Sequence, residues 1–353
     1  MSLEAQIKEF KKNNIYGSSR VNLTIENSFL KHISTESGFK SWLDIENEYY
    51  KFLCYPLNLG TANHDSHYLY ANISKLNSDF DYIKNKLEDF LKNLISQKDI
   101  KSLDKIKEII FSSIMLKDLS EDGRKELANR EHSKITQYYK KEFPAEELKL
   151  SRKTIPYVEE YMHCDEKDFE QELLQDNISI NRFDLFPDNV LFLNFNYTDL
   201  ESLYIDDETE NVEVIHIHGE LGNTDNPIIF GYGDELEESY GKLENLNDNK
   251  FLENIKSIKY QETDNYKKLL SFLNIDKYQI LILGHSCGNS DRTLLNTIFE
   301  HENCVSIKPY YFQENKTDNY SDIVRNISRS FTNKKSMRDK VVNKKYSDYF
   351  SMK

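Results

Sequence analysis

The runs NVLFLNFNYTDLESLY (residues 189–204), NVEVIHIHGELG (211–222) and PIIFGYGDE (227–235) decide how this chain folds. Val190-Leu191-Phe192-Leu193 is a short continuous apolar run, the pattern of a strand buried on both faces. It leads straight into polar Asn194, Asn196 and Thr198. Val212 to Ile217 alternates, with Val212, Val214 and His216 on one face and Glu213, Ile215 and Ile217 on the other, and stops at His218-Gly219. Ile228-Ile229-Phe230 stops at Gly231-Tyr232-Gly233-Asp234-Glu235. Each predicted strand delivers polar residues and glycine at its C-terminal end, the edge at which open α/β sheets bind ligands.

Downstream, Tyr278 to Leu283 reads as another fully buried strand, ending at Gly284-His285-Ser286, and Cys304 to Ile307 as a further one. Helices are predicted over 246–258, 265–273, from about Asp291, and over 323–331. Strands alternating with helices predict an α/β fold with a mainly parallel, Rossmann-type sheet flanked by helices. Four apolar runs, at 190–193, 212–217, 228–230 and 280–283, are expected in that one sheet with their C-terminal ends on a common edge. Upstream, Trp42, Ile45, Tyr49, Phe52 and Leu53 recur at helical spacing. Residues 66–141 contain no proline and carry Leu69, Ile73, Leu76, Phe80, Ile83 and Leu87 in a near-heptad rhythm, which predicts an inserted helical bundle. A helix is expected near Ile7 and Phe10, and a strand over Arg20 to Ile25. The predicted organisation is an N-terminal part of the sheet domain (1–65), a helical bundle (66–175), an α/β half carrying the motifs (176–332) and a basic tail (333–353), a surface helix or a frayed end.

The chain has 353 residues, enough for one large domain or two ordinary ones. Its 46 Lys and Arg against 60 Asp and Glu give a formal charge of −14, which argues against a broad nucleic-acid or anionic-membrane footprint. No apolar run approaches the roughly 18 residues of a membrane helix, and the first residues lack a signal-peptide core. Cys54, Cys164, Cys287 and Cys304 form no CxxC pair, so a reduced, cytoplasmic setting is expected. The mean hydropathy of −0.70 is offset by 23 Tyr and 20 Phe, which supply material for a packed core.

Four polar clusters end the predicted strands: 194–198, 216–219, 231–235 and 284–291. The Asn196 amide can donate to and accept from a ribose or carboxamide, or simply cap the next helix. His218 can take a proton near pH 7, and Gly219 lets a ligand approach the backbone. His216, one pleat deeper, reads as structural. Gly284 to Ser286, followed by a helix, would present N–H groups and a hydroxyl to a phosphate or ribose.

NFNYT, IHIHGEL, IIFGYGDE and ILGHSCGNSD, in that order, with the helix WLDIENEYYKFL (42–53), resemble the motif series of the bacteriophage abortive-infection AbiH family over about Val21 to Phe331. That family in turn resembles sirtuin-like NAD-binding domains. The resemblance implies an anti-phage protein that binds NAD as ligand or substrate and, if active, hydrolyses its N-glycosidic bond. It implies catalytic roles for His218 and Asn196. It places Gly219, Gly284 and Ser286 at the cofactor, and the strand-end clusters add Tyr197, Thr198, Gly231, Asp234, His285 and Asp291 as expected contacts. No metal is expected. A phage component or a companion defence protein is the expected partner, with self-association left open. Thr198 stands where the sirtuin-type pattern has Asp. Family members usually open with a strand and a Gly-Asn-Gly-Phe-Asp type turn. Here only Ile25-Glu26-Asn27-Ser28-Phe29 echoes it, so the chain is expected to begin downstream of that strand and to bind NAD weakly. Two alternatives stand beside this reading. One is a non-catalytic nucleotide or phage sensor. The other is a metal-dependent hydrolase using His216 and His218 with His285 or Asp234.

Overall fold

The computed structural model describes residues 25–35, 42–58, 72–175, 182–206, 211–315 and 317–350. The expected helix near Ile7, all but the last residue of the strand expected over Arg20 to Ile25, and the start of the heptad rhythm at Leu69 lie outside these residues. Strand β1 (Val190–Asn194) pairs in parallel with β2 (Val212–His216), and the register sets Asn194 opposite His216. Both chains therefore leave the sheet at the same level, which brings residues 195–198 and 217–219 to one edge. Strand β3 (Tyr278–Leu283) pairs in parallel with β4 (Cys304–Glu314). Strand β4 also carries β5 (Thr317–Asp318), antiparallel, and β6 (Tyr349–Phe350), parallel.

The protein is thus mixed α/β, and its long pairings are parallel as predicted. Among the described residues, however, the strands form a two-stranded and a four-stranded sheet rather than one. Ile228–Phe230 is not a strand. Pro227 supplies no donor ahead of it, and the segment is held by a single ladder-like bond, Ile229 N–H to the His218 carbonyl at 2.8 Å. It is apolar on both sides because it bridges two cores: Ile229 packs with β2 and β3, while Phe230 stacks on Phe80 at 4.8 Å. Burial is also redistributed. Strands β1 and β3 are largely half-buried, whereas Cys304 to Tyr311 of β4 is buried throughout. Lys308 hid the length of β4, for a lysine reads as the end of an apolar run; here its ammonium is neutralised by Asp118 at 2.7 Å.

The helix Ile73–Ser96 is capped by Asn72, whose side chain accepts from the Ser74 N–H. It buries Leu76, Phe80, Ile83 and Leu87, one stripe at helical spacing. Phe80 also stacks on Tyr49 at 4.0 Å, so helices 42–54 and 73–96 share a core with residues 228–251. A second core surrounds the helix Glu121–Tyr139 and reaches Val305. Gly123 permits that approach, since a Cβ there would lie 2.6 Å from Val305 Cβ. The third core lies among β1 to β4 and the helices Asn265–Leu273, Arg292–Glu300 and Tyr320–Arg329.

One further expectation is corrected. Residues 246–258 do not form one helix: Asn247 sits at φ 53° and Asp248 caps the Lys250 N–H, leaving a 3-10 turn (Asn249–Phe251) and a short helix (Lys256–Lys259). The break lets Tyr232 and residues 254–256 exchange two backbone bonds, of 3.1 and 2.8 Å. At the C-terminal stretch the surface helix is the reading that holds: Asn333 caps the helix Lys334–Lys340, and beyond it β6 pairs with β4. No helix among the described residues is long and apolar enough to cross a membrane.

Candidate functional site

The turns after β1, β2 and β3 converge on Asp291. Its Oδ1 lies 3.3 Å from His218 Nε2 and 2.9 Å from Lys256 Nζ, and its Oδ2 lies 3.5 Å from His285 Nε2. Lys256 also meets Glu46, at 3.0 and 3.1 Å, and donates to Ser290 Oγ at 3.3 Å. Tyr260 Oη is 3.1 Å from His218 Nε2, and the two rings lie nearly parallel. Phe195 covers the other side, with its ring 5.2 Å from that of His218 and 4.2 Å from that of His285. Glu46, Lys256, Asp291 and His218 are all buried, Lys256 to 2% exposure and His218 to 4%.

Two carboxylates share one ammonium in a water-poor interior, so they cannot ionise equally. Burial would raise Asp291, but Lys256 and the two histidines outweigh it and hold the carboxyl well below its ordinary range. Glu46 has fewer partners, and burial raises it. Burial would lower Lys256, but Asp291 and Glu46 raise it. Burial, reinforced by the Lys256 charge, lowers His218 against the opposing pull of Asp291, so the ring is neutral near pH 7. Burial also keeps the Tyr260 phenol protonated, well above its ordinary value. The Cys287 N–H donates to His285 Nδ1 at 3.1 Å, which places the His285 ring proton on Nε2, facing Asp291. The arrangement is a neutral histidine beside a fixed anion, able to take up one proton and keep the resulting imidazolium paired.

Of the residues singled out in the sequence, His218, His285 and Asp291 come together. Tyr197 lies close by, donating to the Ile229 carbonyl at 3.3 Å, and Gly231 donates to Glu46 at 3.3 Å. The others serve differently. Asn196 is exposed, and it is Asn194 that organises the turn, accepting from the Asn196 N–H and donating to the Thr198 carbonyl and Glu201. Gly219, at φ 81°, faces the Pro227 carbonyl, which a Cβ would meet at 2.1 Å; tight chain packing explains it. Asp234 pairs with Arg292 at 3.1 Å, outside the Asp291 network. Gly284, at φ 75°, has nothing within 4 Å of a Cβ, and exposed Ser286 accepts from Asn326 through its carbonyl. The echo at Ile25–Phe29 opens a helix whose Ser28 N–H already donates to the Asp79 carboxylate at 2.9 Å.

Glu46, Lys256, Tyr260 and Ser290 were not foreseen. Glu46 did lie inside the WLDIENEYYKFL motif, as an acid on the buried side of an amphipathic helix. Lys256 carried no signal in a lysine-rich chain. Among the described residues no three His, Cys, Asp or Glu side chains are grouped to hold a metal ion. His216 turns to Glu201 at 2.8 Å while His218 turns to Asp291, so the two do not converge.

Neither curated proteins nor solved structures give a match. The family model for bacteriophage abortive infection AbiH matches residues 2–313, most of the chain. The Glu46, His218 and Asp291 cluster lies wholly within that span, and the chain belongs to the bacteriophage abortive-infection AbiH family.

Proposed function

We propose that this abortive-infection protein binds NAD at the His218–Asp291 site, in a sirtuin-like manner, and hydrolyses its N-glycosidic bond. The observation that carries the reading is the neutral, buried His218 held 3.3 Å from an ionised Asp291 where three strand ends meet. In the reaction, water adds to the ribose C1′ as the C1′–N bond breaks, and nicotinamide leaves with the bonding electrons. The developing charge is oxocarbenium-like. His218 accepts the proton lost by the water, and Asp291 stabilises the imidazolium. Lys256 keeps Asp291 ionised for that role. Phe195, against both imidazoles, limits water around them.

The test is nicotinamide release by the purified chain at millimolar NAD. His218→Ala abolishes release and His216→Ala reduces it less. Unchanged release by His218→Ala refutes the reading. The near-complete burial of His218 favours a second reading, a nucleotide sensor without turnover. It is supported if NAD raises the melting temperature and no nicotinamide appears.

A further inference from the structure

A separate group of polar side chains lies beside β2. A cavity of about 470 Å³ opens there, with His216 on its wall together with Glu201, Glu220, Asp225, Asp264 and Lys268. Its volume is in the range of small-molecule sites. Four carboxylates thus face one ammonium, and that ammonium is already paired with Asp264 at 3.1 Å.

The hydrogen-bond accounting is equally one-sided. His216 is 6% exposed; its Nε2 lies 2.8 Å from Glu201 and 3.5 Å from Glu220, and its Nδ1 is buried without a hydrogen-bond partner. With the ring proton on Nε2, shared with Glu201, Nδ1 is a bare acceptor. Asn194 donates one bond to Glu201 at 2.6 Å, which leaves that carboxylate further acceptor capacity, and the other nearby amides are also paired. Asn226 and Asn265 donate to the His216 carbonyl, at 3.3 and 3.0 Å. Asn223 donates to Glu220 and the Ser202 hydroxyl to the Asp199 carbonyl. The wall is therefore rich in acceptors and in negative charge, and a matching ligand brings N–H donors and positive charge. The metal alternative lacks its ligand geometry, since no three such side chains are grouped for an ion among the described residues.

We propose that this cavity binds an organic cation through an amine or guanidinium group, which donates to Glu201 and Glu220. Guanidinium matches a carboxylate through paired N–H donors. The formal charge of −14 draws cations toward the chain at long range, and the cavity concentrates that field. The site is separate from the Asp291 network and does not rest on the NAD reading. Its ligand is either a free small cation or a basic side chain on a polypeptide.

Calorimetric titration of the full chain at about 0.1 M salt decides it. The probes are agmatine, for a free cation, N-acetyl-Gly-Arg-Gly-amide, for a basic side chain, and N-butylurea as an uncharged control. One equivalent of either cation binds, and N-butylurea does not. Glu220→Gln weakens binding by about tenfold or more. Asp225→Asn, at an exposed position, gives a smaller loss in the same direction and serves if Glu220→Gln does not fold. Binding of agmatine alone assigns the site to small cations, and binding of the peptide alone assigns it to a polypeptide ligand. No saturable heat from either cation overturns the proposal. So does equal binding of N-butylurea, or undiminished binding by both variants.

Discussion

Replacing Lys256 with methionine removes the one cation that two buried carboxylates share. The ammonium lies 2.9 Å from Asp291 and 3.0 Å from Glu46, and it is 2% exposed, so water cannot take its place. Removing one member of a buried ion pair typically costs about 3–5 kcal/mol. That is a large part of the roughly 5–15 kcal/mol that stabilises a folded domain. At about 2 °C per kcal/mol for a chain of this size, the melting temperature falls by roughly 6–10 °C. The two carboxylates should not contribute alike. Asp291 carries the charge and is held by Lys256 and two histidines, whereas burial raises Glu46 toward its protonated form. Glu46→Gln keeps one acceptor for Lys256 and the Gly231 N–H and therefore costs less than Asp291→Asn, for which the loss is about 3–5 kcal/mol. Urea denaturation at pH 7 of the wild type and the three variants measures each cost. A Glu46→Gln penalty equal to or above that of Asp291→Asn would refute the division of charge described above.

The depressed His218 gives a pH signature. Between its ordinary value near 6.5 and its lower folded value the unfolded chain binds the extra proton, so stability falls as pH drops through that window. Glu46, with its raised value, acts in the opposite direction, so the measurement is a difference. Urea midpoints from pH 7 to 5 should fall more in the wild type than in His218→Gln, and parallel curves would contradict this. Gly231→Ala drives a Cβ to 2.1 Å from the Asn254 carbonyl and should destabilise well beyond Gly284→Ala, whose Cβ meets open space and carries only about 1–2 kcal/mol of φ strain. Equal melting temperatures for the two would show that the chain at 254 yields. Lys308→Met strands the buried Asp118, one of whose oxygens already lacks a partner, and should cost about 3–5 kcal/mol at pH 7. The deficit should shrink in acid, because burial raises the Asp118 carboxyl and lets it take a proton; a pH-independent deficit counts against the ion pair.

The parts of the fold readable in the sequence were those governed by local pattern. The apolar runs at 190–193, 212–217 and 278–283 are strands, and the helix Asn265–Leu273 falls where its periodicity placed it. Ile228–Phe230 misled because burial between two cores and burial in a sheet leave the same apolar imprint. The second half of β4 stayed hidden because Lys308 is neutralised by an aspartate 190 residues away, which no window of local sequence contains. The site divides along the same line. His218, His285 and Asp291 were legible because each lies just past the C-terminal end of an apolar strand, and the ends of the two parallel pairs converge on Asp291. Glu46 and Lys256, 210 residues apart, meet only after three separate elements have packed, and neither type of residue advertises burial.

The pH–rate profile of nicotinamide release tests the central claim most directly, because it reports the protonation state of the base itself. In the proposed reaction His218 acts when neutral, and burial lowers its pKa. The rate is therefore level near pH 7 and declines in acid, with the limb below the ordinary histidine value near 6.5. Asp291 opposes that lowering, so Asp291→Asn moves the limb to still lower pH and reduces the plateau. A profile that keeps its acid limb in His218→Gln, or one that does not move in Asp291→Asn, would contradict the assignment of His218 as the proton acceptor.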